Sequence, residues 1–228
     1  MQTFYPALGT LARRVHGLCK AMAADLDLSP AEKQTLEVSS LLYDFGLVGV
    51  PRDLIRRWYE TPASLSSAEL EVVKQHPVLG EELIAFVHHL ENVGKIIRAH
   101  HEHFDGSGYP DGLKGDEIPW LARLLTVAVA YAEKSNSTET IKLASGTTFD
   151  PEAVRALLRS LPHAKLPRRE KEVLMSELKP GMILAKGIYT SNGMLLIPDG
   201  QQLTETYIEK LRNRNRISPV TQSLFVYC

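Results

Sequence analysis

The residues best suited to chemistry lie between His100 and Pro110, reading His-His-Glu-His-Phe-Asp-Gly-Ser-Gly-Tyr-Pro. Adjacent imidazoles followed by carboxylates are the usual ligand types for a hard or borderline divalent cation. Gly106, Gly108 and Pro110 set a tight turn beside them. Within this stretch Asp105 reads as the cap of the Gly106 turn, and Glu102 and His103 as solvent-facing or turn-stabilising. A metal site needs further partners from the rest of the chain. His16, His88, His89 and His163 have no neighbours at ligand spacing and read as structural or surface residues.

The elements that could position such a site are mostly helical. Leu8, Leu11, Val15, Leu18, Met22 and Leu26 recur at helical spacing over 4–26. Ser29-Pro30 with Glu32 opens a second helix toward Asp44, and Phe45-Gly46 ends or bends it. Pro51 starts a short helix over Leu54-Ile55, and Tyr59 to Ser67 reads as a loop. Ser67 and Glu69 lead a helix to Gln75, His76-Pro77 breaks it, and Val78 to Val87 restarts it. Glu91 to His101 is helical, with Val93, Ile96 and Ile97 inward. Pro119 starts the most apolar helix, through Ala132, which is expected at the centre. Ser135 to Thr148 is polar and poorly patterned. Asp150-Pro151 caps a last helix, Glu152 to Leu161, and Arg123 is expected to pair with a carboxylate at a helix start. The count is six to eight helices.

Leu166 to Lys171 is a charged linker, after which the period becomes that of strands. Ser191-Asn192-Gly193 and Pro198-Asp199-Gly200 are turn signals. Thr204 caps a helix over Glu205 to Arg212, and Leu224 to Tyr227 closes as a strand. The fold class is mainly α: a helical bundle over 1–165 and a linker with a small β-rich domain over 166–228.

Composition bounds the function. The 228 residues are 44% hydrophobic and 23% charged, with a formal net charge of -1. That balance gives no general affinity for a nucleic acid polymer or an acidic membrane surface. Cys19 and Cys228 form no disulfide framework, as expected of a reducing compartment. Without a signal pattern, and with the longest apolar run (Leu124 to Ala132) interrupted by Thr126, the chain reads as cytoplasmic. Whether a receiver or sensor domain precedes Met1 stays open.

The order of motifs resembles the HD-GYP subgroup of the HD superfamily of metal-dependent phosphohydrolases, bacterial phosphodiesterases that open cyclic di-GMP. The resemblance spans residues 4–161. It rests on His100 to Pro110, Gly112-Leu113-Lys114-Gly115, Ile118-Pro119, Ala122-Arg123, His76-Pro77-x-x-Gly80, Asp44-x-Gly46 and Gly146 to Pro151. Glu177 to Met182 is similar to an extension behind such domains in some response regulators. The resemblance implies a helical HD-type domain that holds two or three metals.

Position by position, it implies that one ligand set is whole: Asp44, His76, His100 and His101. The partner histidine of the HD pair falls on Tyr43, the central-helix aspartate on Val129, the first-helix glutamate and histidine on Ala7 and Leu11, and the nearby lysine on Leu47. One divalent ion such as iron or manganese is then chemically possible, and a two-metal clamp is not; the other outcome is no metal at all. In the metal-free form Tyr43 would fill the space and donate its hydroxyl to Asp44, while Val129 packs. The stretch from Ala132 to Ser137 lacks the Arg-Pro-Tyr-type segment of active members, which counts against cyclic di-GMP binding. Two readings are open. One is a signalling module that has lost catalysis and acts through protein contacts, with Gly106, Gly108, Tyr109 and Pro110 as its partner surface and a diguanylate cyclase-type domain as one partner. The other is a residual one-metal phosphohydrolase or phosphodiesterase using Asp44, His76, His100 and His101. A nucleotide sensor that binds without cleaving is a third.

Overall fold

A computed structural model describes residues 6–133, 137–166, 170–190, 193–217 and 222–227. The Ala7 side chain, Lys134 to Asn136, Arg168-Arg169 of the linker, the Ser191-Asn192 turn pair and Cys228 lie outside the described residues. The chain divides into two compact units, 1–167 and 168–228.

The first unit is helical: α1 (Pro6–Asp25), α2 (Pro30–Leu42), α3 (Arg52–Glu60), α4 (Ser67–Lys74), α5 (His76–Ala85), α6 (Glu91–Arg98), α7 (Trp120–Glu133), α8 (Thr138–Leu143) and α9 (Pro151–Ser160). Local chemistry sets several of the starts. Ser29 and Glu32 form a reciprocal capping box at α2, and Ser66 with Glu69 forms another at α4. The second box places the cap at Ser66, one residue before the sequence reading. The Asp150 carboxylate accepts from the Glu152 N–H at 2.6 Å to start α9. α7 is central, as its composition predicts: it packs on α1, α2, α6, α8 and α9, and Leu124, Leu125, Val127 and Ala128 are fully buried.

Two helical stretches depart from the sequence reading. α3 continues through Tyr59 and Glu60, where a loop was expected from Tyr59 on, because the Trp58 and Tyr59 rings pack beside Leu54 and Ile55. α8 lies inside the polar stretch 135–148. Ser137 caps it, and its single buried residue, Ile141, is too little to register as a period. With these, nine helices are described in the first unit, above the six to eight expected.

In the second unit β1 (Glu170–Val173), β5 (Leu224–Tyr227) and β2 (Ile183–Leu184) form an antiparallel sheet in the order β1-β5-β2. β3 (Ile188–Tyr189) pairs with β4 (Leu195–Ile197). The Thr204 hydroxyl accepts from the Tyr207 N–H at 3.3 Å at the start of α10 (Glu205–Ile217), which runs five residues past the expected Arg212. Val173, Leu184, Ile188, Ile197, Leu203, Ile208 and Val226 form this unit's core. No helix among the described residues is long and apolar enough to cross a membrane.

Candidate metal centre

Asp44 follows α2 and opens the 3-10 turn Phe45–Gly49. That turn lies against α5 because Gly46 has no side chain. A Cβ there would overlap the His76 carbonyl oxygen and stand 2.6 Å from the Gly80 nitrogen. The two glycines of the upstream motifs thus let Asp44 approach His76. Their atoms Oδ1 and Nε2 are 3.5 Å apart, and His100 Nε2 is 4.0 Å from the same oxygen. His100 and His101 follow α6. One ligand atom from each of Asp44, His76, His100 and His101 lies within 4.8 Å of all the others.

The proton positions follow from the partners. His76 Nδ1 faces the Val73 carbonyl at 2.8 Å, and His100 Nδ1 faces that of Ile97 at 2.6 Å. A ring nitrogen against a carbonyl must donate, so each Nε2 of these neutral rings is a lone pair turned to the cluster. The Nε2 atoms of His76, His100 and His101 are buried without a hydrogen-bond partner. Buried polar atoms are rarely left so. Two inward lone pairs, the buried and unpartnered Nε2 of His101, and a carboxylate match the donor set of a divalent cation, so the residues fit a single metal.

The surroundings penalise charge when no cation is present. Burial pushes His76 down to about 4. Burial, then the neighbouring His76, takes His100 to about 3, and His101 lies well below its ordinary value for the same reasons. Asp44 is pushed up to about 8, first by burial and then by the charge of Glu133, against the pull of the Tyr59 and Tyr43 hydroxyls.

Aromatic rings close over the cluster. Tyr59 donates to Asp44 Oδ2 at 3.1 Å. Trp58 lies 5.5 Å from His76 and 6.2 Å from His101 between ring centres. Tyr109 stacks on His101 at 4.6 Å with 16° between the planes, and Tyr43 meets His100 edge-on at 5.3 Å. Asp44, His76 and His100 are 4%, 0% and 1% exposed, too little for a phosphodiester to reach them without rearrangement. Tyr43 does fill space in the core, but its hydroxyl makes no hydrogen bond. It lies close enough to Asp44 to help hold down the carboxyl's pKa, while the hydrogen bond of good geometry comes from Tyr59, the penultimate residue of α3.

The remaining substituted positions are packed. Leu47 is fully buried, Val129 is 4% exposed, and Leu11 sits against the main core. Glu133, four residues after Val129 and so on the same helical face, is exposed and acts on Asp44 only through its charge. The sequence reading passed over it.

The Gly-Tyr-Pro turn is built on Glu102. Of the two expectations for Glu102, the turn-stabilising one holds and the solvent-facing one does not: it is buried at 1% exposure and accepts three backbone N–H bonds, from Asp111 (2.7 Å), Gly112 (3.1 Å) and Leu113 (3.1 Å). Asp105 caps the turn as expected, accepting from the Ser107 N–H at 2.9 Å. Gly108 leaves no room for a Cβ against the backbone of His101 to His103. Gly106 takes a positive φ of 86°, and the Tyr109-Pro110 bond is cis. Tyr109 and Pro110 are half-buried, with Tyr109 turned toward the cluster, while Asp105, Ser107 and Asp111 face solvent. The segment Gly146 to Pro151 supports the turn: Phe104 and Asp105 N–H groups bond to the Thr148 and Thr147 carbonyls. Arg123 pairs with the α9 cap Asp150 at 2.8 Å and with Asp116 at 2.9 Å.

Comparisons with known proteins agree with this geometry. A family model described as "HD domain" matches residues 2–150. The cyclic di-GMP phosphodiesterase response regulator RpfG of Xanthomonas campestris is 32% identical over 74% of this chain and 47% of its own length. A probable cyclic di-GMP phosphodiesterase of Vibrio cholerae is 39% identical over 46% of this chain and 24% of its own. The chain thus spans about half or less of the length of these relatives. Among solved structures, an HDGYP protein of Bdellovibrio bacteriovorus shares the fold at TM-score 0.56 and 23% identity, over 68% of this chain and 52% of that one. A cyclic GMP-AMP specific phosphodiesterase of V. cholerae does so at TM-score 0.52 and 19% identity, over 72% and 49%. With its matched family model, its ordered motifs and its histidine–aspartate cluster, the chain belongs to the HD domain family, in the HD-GYP subgroup.

Proposed function

We propose that this chain is a non-hydrolytic HD-GYP-type signalling module that holds at most one divalent ion and acts through protein contacts. The observation that carries the reading is the enclosed cluster: Asp44, His76 and His100 are buried and His101 is half-buried beneath Tyr109, with Leu11, Tyr43 and Val129 packed where a second and third metal would need ligands and Leu47 packed in place of the lysine. Four protein ligands complete the sphere of a tetrahedral structural site, whereas catalytic sites leave room for water or substrate, and the little solvent access to Asp44, His76 and His100 favours the former. A divalent ion held by Asp44, His76, His100 and His101 would supply Lewis-acid polarisation and an acidified water. Here the chain's own residues do something else. The two backbone carbonyls fix the imidazoles, Tyr59 occupies one carboxylate oxygen, and the aromatic rings exclude solvent. The partner surface is the outer side of the Gly106–Pro110 turn, braced by Glu102, and a diguanylate cyclase-type domain is one partner to try.

The second reading, a residual one-metal phosphodiesterase, is favoured by the completeness of the ligand set. One assay separates the two. The purified chain is loaded with Mn(II) or Fe(II), and its metal content is measured. Hydrolysis of cyclic di-GMP, 3'3'-cGAMP and a generic phosphodiester is then followed. No turnover above the metal-only background is expected. Turnover abolished by Asp44→Ala would establish the enzyme reading instead.

A further inference from the structure

The second unit contains a groove unrelated to the histidine cluster. It lies between the β3–β4 hairpin and α10, encloses about 410 Å³, and is lined by Thr190, Met194, Leu196, Tyr207, Lys210 and Arg214, with Ile197 and Leu211 at its base. The helix is partitioned by charge. At about 100° per residue, Tyr207, Lys210, Leu211 and Arg214 share one face. Glu205 and Glu209 project on the far side with Arg212 and Arg216. The groove face is therefore cationic although the helix carries both signs. Neither Lys210 nor Arg214 has an acidic partner among the described residues. The floor is apolar, and Met194, with 68% of its surface exposed, stands over it unpacked.

From this we infer that the α10–hairpin groove binds a short acidic peptide segment of a partner protein, one carrying an apolar side chain flanked by aspartate or glutamate. The apolar side chain enters between Met194, Leu196 and Leu211. The flanking carboxylates pair with Lys210 and Arg214, one helical turn apart. Charge complementarity selects this occupant. Two cations over an apolar floor are too few to track a phosphate backbone, and a concave lining does not suit a bilayer surface. The inference does not depend on the catalytic state of the first unit.

The test uses the full chain. Phage-displayed random peptides are selected on it, with counter-selection on the K210E/R214E double variant. The best peptide is then titrated by fluorescence anisotropy against the wild type, K210Q, R214Q, K210E/R214E and M194S. Far-UV circular dichroism and thermal melting verify that each variant is folded; K210Q, R214Q and M194S alter exposed side chains minimally and keep the test decisive if the double variant does not fold. Enrichment of acidic-plus-apolar peptides is expected. So are binding at least 10-fold weaker for the double variant, a several-fold loss for each single variant, and weakening in 0.5 M salt. Selected peptides without acidic enrichment, or equal binding by all variants, would overturn the inference. A concentration-dependent dimer of the wild type that the same variants abolish would overturn it too, by giving the groove to a second copy.

Discussion

Replacing Gly46 by alanine tests the architecture of the cluster most directly. The new methyl would overlap the His76 carbonyl oxygen and lie 2.6 Å from the Gly80 nitrogen. Bringing that second contact out to the 3.4 Å of ordinary packing needs about 0.8 Å of retreat between the 3-10 turn and α5. Both neighbours are backbone, so no side chain can rotate away. Forced overpacking of this kind costs about 3 kcal/mol, a fall of about 6–12 °C in Tm for a unit of this size. The same separation moves Asp44 relative to His76, now 3.5 Å apart between ligand atoms. Metal–ligand distances tolerate only about 0.2 Å, so metal affinity should fall at least 10-fold as well. Thermal melting without metal reads the first effect, and competition with a chromophoric chelator reads the second. A Gly46→Ala protein that melts within 2 °C of the wild type, or binds metal within threefold of it, would refute the argument that this glycine sets the approach of the two ligands.

Three further outcomes are expected. Saturating the chain with Mn(II), Fe(II) or Zn(II) should load one ion per chain. At 100-fold excess over Kd that raises stability by about 2.7 kcal/mol, and His76→Ala should remove the shift; two ions per chain by mass spectrometry would count against a single site. Glu102→Gln keeps one carbonyl acceptor but turns an amide donor toward a third N–H. It should cost about 2–3 kcal/mol in urea denaturation, and a loss under 0.5 kcal/mol would mean that the carboxylate does not brace the turn. The metal-free protein should be most stable near pH 6.5. His76 and His100, held at about 4 and about 3, stabilise the fold above 6.5, and this is lost as pH falls toward those values. Asp44, held at about 8, stabilises it below its ordinary 3.8, and this is lost as pH rises through 8. Below 6.5 the unfolded chain binds more protons, because its histidines outnumber the one proton kept by Asp44. Between 6.5 and 8 the folded chain binds one more, so stability should fall by about 1.4 kcal/mol per pH unit. Urea titrations in chelator showing no decline there would contradict the burial of Asp44.

Where the chain has local signals, the helices were legible. The boxes Ser29–Glu32 and Ser66–Glu69, the prolines at helix starts and the apolar stripe of α7 determine their elements with little outside help. The ligand set was legible through ordered motifs, and the structure brings Asp44, His76, His100 and His101 together. What could not be read depends on contacts distant in sequence. Tyr59 belongs to a helix only because Trp58 and its neighbours have a surface to pack on, and its hydroxyl finds Asp44 fifteen residues back. For Glu102 the sequence left exposed and turn-stabilising roles open, and only the loop from Asp111 to Leu113 folding over it decides for the second. Glu133 could have been found by counting one turn past Val129. The stacking of Tyr109 on His101 leaves no trace in the spacing of the chain.

The tight fits around Gly46, Gly80 and Gly108 bear on how such motifs diagnose activity. At each of these glycines a side chain would strike backbone or a core residue, whether or not a phosphodiester is ever cleaved nearby. A chain relieved of catalytic demand can exchange a ligand for leucine or valine at no cost to its packing, but it cannot exchange these glycines without rebuilding two elements. The glycine letters of the motif therefore report architecture. Turnover is reported instead by the positions outside the glycine turns, where Leu11, Tyr43, Leu47 and Val129 now stand.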